Sequence, residues 1–170
     1  MSSIVTALEE DNLLKVKQAI KAGEDVNQVL MVGIDEDEEC VLLFYALRQR
    51  VSCDIIRSLV DSGADIEYIN EDGISVFEEA SIFGDLEILS YLADEKGLEV
   101  SQTKRKSGFT PFMQACCYGR MDVAEFLLER GADACIKDKN GMDALEYTRR
   151  LRQNKMHEFI KNLPAYKEEK

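Results

Sequence analysis

The stretch Gly108–Asp133, GFTPFMQACCYGRMDVAEFLLERGAD, predicts two short helices joined back to back. Ser107-Gly108 is a turn signal, because glycine takes a positive φ without steric cost. Thr110 stands where a helix N-cap belongs, and Pro111 follows at the first helical position, where its missing N–H is not needed. The first helix runs through Phe112, Ala115 and Cys116, with small residues where the next unit must approach, and Gly119 ends it. The second helix gathers Val123, Ala124, Phe126, Leu127 and Leu128 on one face, with Glu125 and Glu129 toward water. Gly131 closes it as a C′ glycine, and Ala132-Asp133 opens a loop that reaches the next turn at Asn140-Gly141.

The same order recurs along the chain. Second helices are expected to end at Gly23, Gly63, Gly97 and Gly131, and turn glycines fall at Gly73, Gly108 and Gly141. The interval from Gly23 to Gly63 is 40 residues against 34 for the next two, so the first interval carries an insertion. Gly63-Ala64-Asp65 repeats Gly131-Ala132-Asp133, and Gly23-Glu24-Asp25-Val26-Asn27 is a variant of it. Asp72-Gly73-Ile74-Ser75-Val76-Phe77 is a weakened copy of the 108–112 turn, with Ser75 keeping the capping hydroxyl.

These motifs, and a period near 33 residues, resemble the ankyrin repeat. The family pattern D-x-x-G-x-T-P-L-H-x-A, then a glycine, then V-x-x-L-L-x-x-G-A-D is matched best by residues 104–137. Phe112-Met113 replaces the usual Leu-His, which removes a side-chain hydrogen bond to the turn and implies that this turn is held another way. The resemblance implies an all-α ankyrin-repeat solenoid of stacked helix-turn-helix units with projecting hairpin-like loops. About five repeats are expected as a single domain: 1–27, 28–69, 70–103, 104–137 and 138–170. Lys15, Lys17, Gln18 and Lys21 in the first unit, and Arg149, Arg150, Arg152, Lys155 and Lys161 in the last, read as polar caps of a complete solenoid.

Composition narrows the function. The chain has 170 residues, 45% of them hydrophobic, enough for one stacked core. No apolar run is long enough for a membrane span, and the first ten residues lack the basic and apolar regions of a signal peptide. Cys40, Cys53, Cys116, Cys117 and Cys135, odd in number and irregularly spaced, point to thiols in a reducing compartment and hence to the cytoplasm, export with a removed signal being the alternative. Residues 1–100 carry a net charge of −16 and residues 101–170 a net of +4, which together make −12. That polarity argues against nucleic acid or an anionic membrane as partner and for a protein with a basic surface or cleft.

Catalytic signals are missing. His157 is the single histidine, so a Ser–His pair or a metal site has no partners for it. No phosphate-binding or metalloprotease motif occurs, the carboxylates read as loop and helix-exterior groups of ordinary acidity, and no cofactor is expected. Asp35 and Asp37 would suit a calcium loop, but Cys40 stands where its glycine belongs.

The candidate partner-binding residues lie where the resemblance implies contact, on loop tips and the exposed face of the first helices. Asp35, Glu36, Asp37, Glu38 and Glu39, flanked by apolar Val29–Val32, Ile34 and Val41–Leu43, suggest an extended hairpin with an acidic tip. Such a tip either enters a basic cleft or keeps an apolar hairpin in solution. Glu71 and Asp72 form a second acidic tip, and Lys104, Arg105 and Lys106 a basic one. Ile74, Ile82, Phe83, Phe109, Tyr118 and Met142 complete the surface, with Phe83 and Tyr118 equivalent in position as aromatic anchors or, for Phe83, as packing between units. The expected function is non-enzymatic recognition of another protein, as an inhibitor or regulator that masks it. The rivals are an adaptor in a larger complex, an enzyme, and a structural dimer; a free monomer is expected.

Overall fold

Helical hairpins follow one another in two parallel rows in a computed structural model of the chain, which describes residues 2–33 and 38–167. The helices are α1 Ser3–Glu9, α2 Leu13–Lys21, α3 Leu42–Arg48, α4 Cys53–Asp61, α5 Val76–Phe83, α6 Leu86–Ser90, α7 Pro111–Cys117, α8 Met121–Glu129, α9 Ala144–Arg150, α10 Asn154–Lys161 and α11 Pro164–Lys167. Strands β1, Val29–Val32, and β2, Glu38–Val41, pair between α2 and α3. Helices α3, α5, α7 and α9 pack side by side in one row, and α2, α4, α6 and α8 in the other. One apolar core runs between the rows from Ile4 to Ile160, including Phe44, Phe77 and Phe112. This is the stacked all-α solenoid that the repeats imply, and no described helix is long and apolar enough to cross a membrane.

Local chemistry sets the helix starts. The Asn12, Asp85, Thr110 and Asp143 side chains each accept a hydrogen bond from a backbone N–H in the first turn of their helix. Ser75 and Glu78 cap α5 reciprocally, each side chain accepting from the other's backbone N–H. With Met113 in place of histidine, the turn before α7 is tied by backbone: Lys139 N–H donates to Ser107 O at 2.9 Å.

Two departures from regularity have clear causes. Twelve positions separate Asp85 from Gly97, against eleven from Ser52 to Gly63 and from Arg120 to Gly131. The extra residue is absorbed as a π-helical turn, Tyr91–Glu95, following α6, with Lys96 N–H donating to Tyr91 O at 3.1 Å. At the turn between the two helices of a pair, Gly119 (φ 68) is matched by Asp11 (φ 46), Arg50 (φ 58) and Arg152 (φ 57), non-glycine residues in the left-handed region. Asp11 is compensated, since its carboxylate accepts from Ser52 N–H at 2.8 Å.

Candidate functional site

The insertion supplies a two-stranded hairpin between α2 and α3. Its register pairs Val29 with Val41, Leu30 with Cys40, Met31 with Glu39 and Val32 with Glu38. Alternation puts Leu30 and Cys40 toward the body and leaves Val29 and Met31 exposed. Glu38 and Glu39 therefore belong to β2 rather than to a tip, while Asp35, Glu36 and Asp37 lie outside the described residues.

The following loop is held by the Asn70 side chain, which accepts from Asp72 N–H and Ile74 N–H, and by a bridge between Ile69 and Ser75. It presents Glu71 and Asp72 to solvent and leaves Ile74 half-buried. Fold brings Glu38, Glu39, Glu71 and Asp72 around one recess of about 450 Å³, with Met31, Tyr68 and Asn70.

Phe83 and Tyr118 do not join that cluster. They stand at the C-terminal ends of α5 and α7, away from the loops. Phe83 is half-buried in a recess with Arg50 and Arg120, whereas Tyr118 is 62% exposed. Met142 is half-buried on the last loop, where its amide donates to Asp138.

The basic tip differs from its expected form. Lys104 and Lys106 are exposed, but Arg105 turns inward and its side chain is 15% exposed. Its guanidinium donates to Gln114 Oε1 at 2.9 Å, lies 3.2 Å from Glu78 Oε1 and covers the Phe109 ring. Phe109 meets Tyr147 edge-on at 5.1 Å, and the Tyr147 hydroxyl donates to Asp138 at 2.6 Å.

The expectation that the carboxylates sit outside fails at Glu78 and Glu79, and that of ordinary acidity fails at Glu79. Both are buried in the first turn of α5, because inner helices pack closely enough to enclose their own polar face. Arg48 on α3 donates to Glu79 at 2.5 Å and to Glu38 at 2.7 Å, tying the hairpin to two inner helices. Burial holds the Glu79 carboxyl above its ordinary value of 4.5, with the Arg48 guanidinium pulling the other way. Burial alone would lower Arg48, but its hydrogen bonds to Glu79 and Glu38 outweigh that and raise it, so the arginine is charged throughout. Glu78 accepts from Thr103 Oγ1 at 2.9 Å. The signal in the sequence was position: Glu78 and Glu79 occupy the H-x of the T-P-L-H-x-A pattern, on a helix with neighbours on both sides.

Other reactive groups are quiet. Burial pushes the Cys40 and Cys117 thiols up to about 11 and Cys116 higher still. His157 Nδ1 sits 3.2 Å from Thr148 Oγ1, inside the last helical pair. Among the described residues no group of three or more His, Cys, Asp or Glu is placed to hold a metal.

A stacked scaffold that presents a row of loops and inner helices is suited to contact with another macromolecule. The family model "Ankyrin repeats (3 copies)" matches residues 43–138 and 78–161, and the chain belongs to the ankyrin repeat family. Ankyrin repeats are protein–protein interaction modules, so protein partners are implied. The chain is similar to the E3 ubiquitin-protein ligase hecd-1 of Caenorhabditis elegans, 31% identical over 71% of this chain and 4% of that protein. It is 27% identical to the mouse (Mus musculus) ankyrin repeat and SAM domain-containing protein 6 over 66% of this chain and 13% of that protein. With the inhibitor of Bruton tyrosine kinase from Xenopus laevis it shares 31% identity over 39% of this chain and 5% of that protein. The chain thus spans only a small part of the length of these relatives.

Proposed function

We propose that this chain is a non-enzymatic regulator that binds a partner protein through its loop tips and inner-helix face and masks a basic surface on it. The carrying observation is the recess bordered by Glu38, Glu39, Glu71 and Asp72, where acidic groups of β2 and of the loop before α5 meet exposed Met31 and half-buried Tyr68. Apolar contact supplies the affinity of such an interface, and complementary charge guides the encounter. One relative bears the name of a kinase inhibitor, which agrees with masking. The much greater length of the relatives favours the second reading, in which the same surface serves as an adaptor within a larger assembly. On this proposal the five units 1–27, 28–69, 70–103, 104–137 and 138–170 act as one body, monomeric when free. The buried thiols of Cys40, Cys53 and Cys116 suit a reducing compartment such as the cytoplasm.

The test is capture from the native cell with the full chain. A partner enzyme recovered at fixed stoichiometry and with reduced activity supports masking; a multi-subunit assembly at full activity supports the adaptor. Replacing Asp35–Glu39 with Ser and Gly is expected to weaken binding and flatten its salt dependence. Unchanged affinity and an unchanged salt slope would sink the electrostatic part of the proposal.

A further inference from the structure

The outward face of the β1–β2 hairpin does not close against the loop that follows it. Two adjoining recesses remain, and both are lined by Tyr68. The first, about 320 Å³, is mostly apolar, lined by Val26, Val29, Val41, Leu43 and Tyr68 together with Asn27 and Asp65. The second, about 450 Å³, has Met31 and Tyr68 as its apolar wall and Glu39, Glu71 and Asp72 at its rim. Val29 and Met31 are 55% and 50% exposed, which is unusual for large apolar side chains on adjacent same-face positions. Tyr68 is held in place by Phe44, edge-on at 5.3 Å.

Charge decides what fits. Glu38 is committed to Arg48, but among the described residues no ion pair uses Glu39, Glu71 or Asp72. Neither recess is lined by a lysine or arginine. The second recess therefore offers unneutralised carboxylates beside an apolar wall, the surroundings suited to a Lys or Arg side chain with its aliphatic stem.

Spacing decides the shape. The Val29–Val41 pair belongs to the first recess and the Met31–Glu39 pair to the second. Successive same-face positions of a strand lie roughly 7 Å apart, the repeat of alternate side chains in any extended peptide. Each recess takes a side chain or two, not the helix cylinder of about 10–12 Å.

We propose that this groove binds an extended segment of the partner protein in which an apolar residue and a Lys or Arg stand two positions apart, the apolar side chain against Val29 and Tyr68 and the cation among Glu39, Glu71 and Asp72. The proposal rests on the interaction-module reading and narrows it to one peptide chemistry.

The experiment pans a short random peptide library against the full chain and follows the enriched peptide by fluorescence polarisation. Enrichment of an apolar residue two positions from Lys or Arg is expected, weakening as salt is raised. Met31→Lys and Glu71→Lys alter exposed side chains and are each expected to weaken binding by about tenfold or more, with Glu71→Gln intermediate. Inserting one residue between the apolar and basic positions should abolish binding, and Glu125→Gln, exposed on the outer helix α8, should leave it unchanged. No enrichment, a different spacing, or binding indifferent to Met31→Lys and Glu71→Lys overturns the groove. A native partner that binds Met31→Lys and Glu71→Lys as tightly as the parent chain also overturns it, yet leaves the module reading standing.

Discussion

Replacing Arg48 by methionine isolates what the buried charges contribute. The Arg48 guanidinium reaches Glu79, whose side chain is 2% exposed, and Glu38 on the hairpin. Removing one partner of a fully buried pair costs about 3–5 kcal/mol, because the other charge is left in a poor solvent. Arg48 itself is 27% exposed, so water would reach part of the vacated space and reduce the loss to about 2–3 kcal/mol. The lost contact with exposed Glu38 adds about 1 kcal/mol at most. Domains of this kind are stable by about 5–15 kcal/mol, so the urea midpoint should fall by about 1 M with an unchanged slope.

The pH dependence has a definite sign. Burial already holds Glu79 above 4.5, and without Arg48 the carboxyl rises further. Between 4.5 and that raised value the native state binds more protons than the unfolded chain, so the variant loses stability as pH rises through the window. Glu38, Cys40 and Arg105 also face this pair, and Arg105 alone remains to oppose the charge. The deficit against the parent chain, measured by urea unfolding with circular dichroism, should be larger at about pH 7.5 than at about pH 5. Adding Glu79→Leu should recover most of it, since an apolar pair replaces an uncompensated charge. A deficit below about 1 kcal/mol, equal at both pH values and not recovered in the double variant, would refute the argument.

Arg50, exposed and left-handed at φ 58, should tolerate glycine better than arginine, and Arg50→Gly is expected to raise stability by about 0.5–1 kcal/mol in the same assay. Gly119→Ala is the converse, with φ 68 and a Cβ 3.1 Å from Gln153 Oε1, and should lower it. Burial would push the Asp138 carboxyl up, but the Tyr147 hydroxyl and the amides of Met142 and Asn140 outweigh it and hold it below 3.8. Asp138→Ala should therefore cost about 1–3 kcal/mol at neutral pH, and the difference from the parent chain should shrink as pH falls below 3.8, through the lowered native value.

Much of the scaffold was legible because its signals are local. Thr110-Pro111 starts α7, and the Gly23, Gly63, Gly97 and Gly131 spacing marks where second helices end. The lengthened first interval and its flanking apolar residues foretold the hairpin. Local signals were silent where two distant segments meet. Lys104-Arg105-Lys106 reads as a uniform basic turn, yet Arg105 lies against Glu78 and Gln114 of two inner helices. The π turn at Tyr91–Glu95 hides in a glycine spacing that stays regular, because the inserted residue is offset elsewhere in the repeat.

By itself the sequence determined that helical pairs stack into an ankyrin solenoid, since capping, glycine termination and helical periodicity depend on residues a few positions apart. Tertiary structure alone decided which charges are enclosed and which remain open. Glu79 and Glu39 are alike in the chain, but α3 and α5 enclose the first with Arg48, while strand alternation turns the second outward beside Glu71 and Asp72. Burial and pairing of a charge are set by groups roughly 30 residues distant in the chain, about one repeat away. No reading of neighbours along the sequence contains that information.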